Sequence, residues 1–185
     1  MGDSEATTTA PEGGIPLTLQ RSRTTSAATR ARSGEGLETA AIREVGRRCA
    51  CFNLRRVTRA VTQLYDDFLR PTGLRVTQFS VLVALRNLEQ ATVNQLAEKL
   101  VVDRTTLTRN LRPLEQSGFV RTRPGLDRRV REISLTPAGI EKLHQALPRW
   151  REAQGQMRRA LGRDRLERLL SDLSATLHVV RDGRE

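Results

Sequence analysis

The sequence predicts a mainly α-helical chain with one small β-hairpin, and three patterns carry that expectation. Apolar residues recur at alternating steps of three and four at both ends of the chain. A capped short helix followed by a longer one occupies the middle, and two neighbouring stretches between 119 and 136 read as short strands. The 185 residues, 37% of them hydrophobic, suffice for one domain of ordinary size and a tail.

Residues 1–45 are expected to be a disordered tail, because their first 36 are rich in Thr, Ser, Ala, Gly and Pro and show little apolar periodicity. Arg21, Arg23, Arg30 and Arg32 balance Asp3, Glu5, Glu12 and Glu35 there, so the formal charge of +11 belongs to the rest of the chain. A folded domain is expected over 46–181. Its first helix, 48–70, carries Leu54, Val57, Val61, Leu64 and Phe68 on one face, and "RPTGL" ends it. The same spacing returns after Gly162 in Leu166, Leu169, Leu170, Leu173, Leu177 and Val180, within a second helical region at 137–181. Two apolar stripes flanking a small central segment predict pairing with a second copy in a symmetric homodimer.

The centre, "TVNQLAEKLVVDRTTLTRNLRPLEQSGFV", opens on a capping box in which Thr92 takes an orphan N–H and Gln95 reaches back. A short helix with Val93, Leu96, Ala97 and Leu100 inward is interrupted at Val101 and Val102. Asp103 then caps a longer helix that ends at Gly118, a residue suited to the left-handed position. Short helix, tight turn and longer helix make a helix-turn-helix. On the longer helix Leu107, Leu111 and Leu114 share one face, Thr105, Arg109 and Arg112 the opposite one, and Thr106 and Thr108 the flanks. Arg can bond guanine edges, the Thr methyl can meet thymine, and both reach phosphates.

A charged helix face alone is usually just solvated. Here it is followed by two short strands, "FVRTR" and "VREISLT", whose turn carries Asp127, Arg128 and Arg129. That hairpin is a wing, and arginines at its tip suit a narrow, electronegative minor groove. Asp127 can orient a neighbouring Arg through paired bonds, or simply favour the turn. The predicted architecture is thus a winged helix-turn-helix over 75–136, flanked by dimerisation helices at 48–70 and 137–181.

The run "LAEKLVVDRTTLTRNLRPLEQSGFVRTRPGLDRRVREISLTPAG", with "DRR" ahead of "LTPAG", resembles the MarR family of bacterial transcription regulators over residues 46 to 181. The resemblance implies a homodimer with interlocked first and last helices, each subunit presenting its winged helix-turn-helix to half of a near-palindromic double-stranded operator. Residues 103–117 become the recognition helix, with Arg104, Thr105, Thr106, Thr108, Arg109 and Arg112 as DNA contacts. Asp127 becomes the wing brace, and Arg128 or Arg129 the minor-groove residue. Thr136 should cap the helix beginning at Pro137, and Pro148 should kink or divide that helix. The function implied is repression relieved by a small aromatic or phenolic ligand.

Charge supports a phosphate-rich partner: Lys and Arg total 32 against 21 acids, and all but Lys99 and Lys142 are Arg. A sequence-tolerant architectural DNA binder is the alternative that this charge alone allows. No run approaches the roughly 18 apolar residues of a spanning helix, so a soluble, cytoplasmic, nucleoid-associated bacterial protein is expected, with no membrane partner. No enzyme is expected, since neither a glycine-rich phosphate loop nor a nucleophile elbow is present. His144 and His178 stand apart from each other and from any cysteine, so no metal or other cofactor is expected. Trp150, Met157 and Leu161 at helical spacing read as core.

"CFNLRRVTRAVTQLY" resembles the first helix of the OhrR peroxide-sensing branch of the same family. That resemblance makes Cys51 a candidate redox thiol approached by Tyr65 across the dimer, with Cys49 as the resolving partner. Arg55 stands where that branch has a second tyrosine. The other reading of the cysteines is small, half-buried packing residues at the dimer interface.

Overall fold

The computed structural model describes residues 38–125 and 131–183, which fall into a short unit ending at Asn53 and a larger one beginning at Leu54. The greater part of the expected tail lies outside the described residues. Residues 38–45, assigned to that tail, are helical instead: helix α1 covers 38–48. Its apolar residues Ile42 and Val45 are 65% and 54% exposed, too few and too exposed to give the stripe by which the other helices were recognised.

Cys49 separates α1 from α2 (Ala50–Leu69). The backbone pattern nevertheless continues through the junction, with the Cys49 N–H donating to the Val45 carbonyl at 3.0 Å and the Asn53 N–H to the Cys49 carbonyl at 3.1 Å. The Asn53 amide adds bonds to the carbonyls of Cys49, Gly46 and Arg47, at 3.0, 3.4 and 3.4 Å. The Gly46 and Arg47 carbonyls lie at the end of α1, where helix carbonyls commonly lack a backbone partner.

In the larger unit a 3-10 turn, Arg70–Thr72, ends α2, and Gly73 takes the left-handed conformation (φ 75°) that closes it. Helix α3 (Val76–Leu88) follows. The Asp66 carboxylate on α2 accepts the Val76 N–H at 2.6 Å and pairs with Arg75 at 3.5 Å, capping α3 from outside its own sequence. Then come β1 (Gln90–Thr92), α4 (Val93–Leu100), α5 (Arg104–Gln116), β2 (Val120–Pro124), β3 (Arg131–Leu135), α6 (Pro137–Leu161) and α7 (Arg163–Asp182).

The strands form one antiparallel sheet in the order β1-β3-β2, with Ile133 of β3 opposite Ala91 on one side and Thr122 on the other. The hairpin is therefore a three-stranded sheet. β1 was not expected, because three residues show no periodicity and the strand exists only by pairing with β3. Leu82, Leu85, Leu96, Leu107, Leu114 and Ile133 are at most 1% exposed and form the core that joins α3, α4, α5 and the sheet.

One further difference concerns α6. Pro148 does not divide α6, which runs unbroken from Pro137 to Leu161. Pro148 and His144, whose carbonyl loses its donor, are both exposed, so that carbonyl can be hydrated. On α7 only Leu166 is buried; Leu169, Leu170, Leu173, Leu177 and Val180 are all exposed.

The first turn of α6 is pressed against the corner between α5 and β2. Thr136 caps it by accepting the Gly139 N–H at 3.0 Å, while its hydroxyl lies 2.6 Å from the Gly118 carbonyl. A Cβ on Gly139 would lie 1.9 Å from the Phe119 carbonyl oxygen. Lys142, one turn on, donates to the Thr72 carbonyl at 3.2 Å and stands 5.3 Å over the Phe119 ring. Gly139→Ala must force α6 off this backbone, and a loss of about 2 kcal/mol or more in urea denaturation is expected. A variant as stable as the parent would show that the contact yields freely.

Candidate nucleic-acid interface

The interface is built from the α4 capping box upward. The Gln95 N–H donates to the Thr92 hydroxyl at 3.2 Å and the Thr92 N–H to Gln95 Oε1 at 2.8 Å, as the sequence predicts. α4 ends at Val101, whose backbone is left-handed (φ 54°, ψ 46°), and the Val102 N–H returns to the Ala97 carbonyl at 3.0 Å. A β-branched residue in this conformation stores strain of about 1–3 kcal/mol. Val101 is 54% exposed, so little burial offsets it.

Asp103 caps α5, accepting the Thr106 N–H at 2.8 Å and the Thr106 hydroxyl at 2.6 Å. These bonds, the Thr106 hydroxyl first, hold its carboxyl below the ordinary value of 3.8. The charged cap is accordingly complete above that value and is lost as pH falls through the lowered one.

Leu107, Leu111 and Leu114 are buried, and Arg104, Thr105, Thr106, Thr108, Arg109 and Arg112 are exposed, so the predicted division of α5 into two faces is present. Arg104, Arg109 and Arg112 pair with no carboxylate among the described residues. The Thr108 hydroxyl is committed to the Arg104 carbonyl at 2.8 Å and that of Thr106 to Asp103. Pro113 lies inside α5 and withdraws the donor for the Arg109 carbonyl. Gly118 has the expected left-handed backbone, φ 70°.

Asp127, Arg128 and Arg129, predicted for the wing tip, lie outside the described residues. The strands leading to it carry exposed arginines that sequence reasoning passed over: Arg121 and Arg123 on β2 and Arg131 on β3. Their signal was the period-two spacing of "VRTR", which sets Arg121 and Arg123 on one face. Arg121 is steadied by the Ser134 hydroxyl at 3.1 Å, and Thr122 is bonded to Glu115 of α5.

Of the candidate redox residues, Cys49 is half-buried and Cys51 exposed in the short unit, and the Phe52 N–H lies 3.4 Å from Cys49 Sγ. Tyr65, in the larger unit, gives its hydroxyl to Gln154, and burial pushes its phenol upward from the usual value. Tyr65 also lines a cavity of about 450 Å³ between α2, α3, α4 and α6, together with Phe79, Val83, Lys99, Leu100 and Trp150. Trp150 stacks on Phe79 with ring centroids 6.4 Å apart, so it both packs on the core and walls the cavity. His144 and His178 are exposed, and among the described residues no three His, Cys, Asp or Glu side chains gather where a metal could be held. No described helix is long and apolar enough to cross a membrane.

A capped helix-turn-helix with an Arg and Thr face, backed by a three-stranded wing, defines a DNA-binding regulator of the winged-helix class. The sequence model of the MarR family matches residues 74–130. A helix-turn-helix-type transcriptional regulator of Bacillus cereus is 30% identical over 130 residues, covering 70% of this chain and 87% of its own. Among solved structures, the M. tuberculosis transcriptional regulator MosR in complex with DNA is 39% identical with a TM-score of 0.62, over 72% of this chain and 98% of its own. A cysteine-to-serine variant of E. coli MarR complexed with operator DNA is 24% identical with a TM-score of 0.66, over 72% and 97%, a likeness of fold. The chain belongs to the MarR family and is a transcriptional regulator rather than an enzyme.

Relief of the strain at Val101 is directly measurable. Val101→Gly is expected to raise stability by about 0.5–1 kcal/mol, seen as a higher urea midpoint at unchanged slope. A lower midpoint would mean that the valine side chain is held by contacts worth more than the strain.

Proposed function

We propose that the protein is a homodimeric repressor that binds a near-palindromic double-stranded DNA operator in the bacterial cytoplasm and is released by a small aromatic or phenolic ligand. The observation that carries this reading is the exposed α5 face, where three guanidinium groups without a carboxylate partner among the described residues lie on one helix with exposed threonines. Arg109 would read base edges in the major groove, with Arg104 and Arg112 beside it. Arg128 and Arg129, braced by Asp127, would enter the flanking minor groove, and Arg121, Arg123 and Arg131 would meet phosphates. The DNA complex of MosR supports the same partner.

The dimer is supported by the uncovered stripe on α7, where Leu170, Leu173 and Leu177 are 52%, 41% and 41% exposed, and by Val57 on α2 at 54%. In this reading residues 46–181 form the regulator domain, 75–136 its winged helix-turn-helix, and 48–70 with 137–181 its dimer helices. The 450 Å³ cavity is of small-molecule size, with aromatic walls and the Lys99 ammonium to meet an acidic or phenolic oxygen. Lys99 and Leu100 belong to α4, so a ligand that fits one spacing of the recognition helices better than another shifts the dimer towards it.

In a gel shift against the protein's own upstream region, Arg109→Ala is expected to change base preference. Arg129→Ala should lower affinity on every sequence and reduce the salt slope by about one. Equal loss on all sequences for both variants would remove that division of labour. A parent protein that binds random DNA as well as the upstream region would instead be an architectural binder.

A thiol-based sensor is the second reading, favoured by the exposure of Cys51 in the first turn of α2 and the position of Cys49 at the helix junction. Residues two apart on a continuous helix point away from each other, and the backbone bonds run on through Cys49, so a bond between the two cysteines of one chain would require the helix end to fray, whereas a bond between subunits would not. Cys51→Ser should then keep the operator bound under peroxide that releases the parent. Release at the same peroxide dose by both proteins leaves the cysteines as packing.

A further inference from the structure

The end of α7 and the turn of the helix-turn-helix face each other across an open groove of about 720 Å³. One wall is drawn from residues 97–103, between the end of α4 and the cap of α5, and the other from residues 177–182 of α7. An ion pair bridges it: Arg181 Nη2 donates to Glu98 Oε1 at 2.9 Å. Every other ion pair among the described residues is local, within one helix or around the turn that joins α2 to α3. This one joins residues 83 apart in the sequence.

Neither partner is provided for on its own helix. Asn94 and Gln95 precede Glu98 by four and three residues, Val101 and Val102 follow it at the same spacing, and Leu177 and His178 precede Arg181 likewise. None of these offers an opposite charge. Glu98 also lies in the last turn of α4, where the helix dipole disfavours an acid. Its position is therefore not explained by α4 itself.

An ion pair whose side chains are 44% and 70% exposed contributes little to folding stability. What it can do is fix a distance. Glu98 is joined to α5 by a short, closed path: the Val101 N–H returns to the Glu98 carbonyl at 3.2 Å, the Val102 N–H returns to that of Ala97 at 3.0 Å, and Asp103 caps α5. The far end of α5 is held against α6 at Phe119, so a shift of Glu98 relative to α7 tilts the first turn of α5.

We propose that the Glu98–Arg181 ion pair is a strut between α4 and α7 that sets the tilt and spacing of the two recognition helices in the dimer, which makes both residues positioning residues for DNA binding. The inference rests on the reading of α7 as a dimer helix and of α5 as the recognition helix. A strut matters only where two helices must match two half-sites at once. Without it each α5 samples a range of positions, and ordering the pair on an operator then costs affinity. A single half-site imposes no such match.

The neutral variants Glu98→Gln and Arg181→Gln change net charge in opposite directions, which separates a strut from bulk electrostatics. On a duplex carrying the operator from the protein's own upstream region, both should bind about three- to tenfold more weakly than the parent, since a dimer contains the pair twice. On the same duplex cut to one half-site both should bind as the parent does, and their urea midpoints should match it. The exchange of Glu98→Arg with Arg181→Glu should restore full-operator affinity to within about twofold. Tighter binding by Glu98→Gln with weaker binding by Arg181→Gln would show bulk charge alone, and equal losses on full and half-site duplexes would show only local support of α5. Either result overturns the strut, as do unchanged affinities in both variants or an exchange variant no better than the single ones. A parent that sediments as a monomer, or binds random DNA as tightly as the upstream region, would overturn the repressor reading and the strut with it.

Discussion

The contact between the first turn of α6 and the backbone at Phe119 sets the geometry on which the DNA-binding elements depend. The absent Cβ of Gly139 lets the α6 backbone come against the Phe119 carbonyl, which itself accepts the Thr136 N–H at 3.0 Å. Phe119 directly follows the turn that ends α5 and directly precedes β2, so α5 and the wing strands are fixed to α6 at one place. Lys142 adds a third tie, from α6 to the turn between α2 and α3. Long helix, helix-turn-helix and the described wing strands are therefore tied together without a loose joint between them.

Stored strain is set against that rigidity on the other side of the helix-turn-helix. Val101 at the turn and Glu89 before β1 are the two non-glycine residues with positive φ among those described, and between them they bracket β1 and α4. α4 is the helix that contributes Lys99 and Leu100 to the aromatic cavity. α4 is thus held between two unfavourable backbone conformations, while α5 is held by a close-packed contact. Movement is cheaper at the first than at the second.

Local chemistry made much of this legible in the sequence. Thr92 with Gln95, Asp103, Gly118 and Thr136 each announced a helix boundary through side-chain or backbone preferences that act over three or four residues, and each boundary lies where those preferences place it. The face of α5 followed from 3.6-residue periodicity alone. The features that escaped depend on partners distant in sequence. β1 exists through β3, Asp66 caps a helix ten residues away, and Trp150 lines a cavity only because Phe79 and α4 arrive beside it. α1 was missed for a different reason: its Ile42 and Val45 make no internal core, so periodicity had little to register. Pro148 does not divide α6, because a proline on a solvated helix face forfeits a bond that water can replace.

The near-absence of lysine has a consequence for how the protein's charge can be controlled. Of the two lysines, Lys142 is committed to the Thr72 carbonyl and Lys99 belongs to the cavity wall, whereas every cation on the exposed face of α5 is an arginine. Guanidinium groups stay protonated far above physiological pH. Neither alkaline drift nor acylation of amines can erase the positive charge of that face. Its affinity for an anionic polymer is left under the control of geometry and ionic strength.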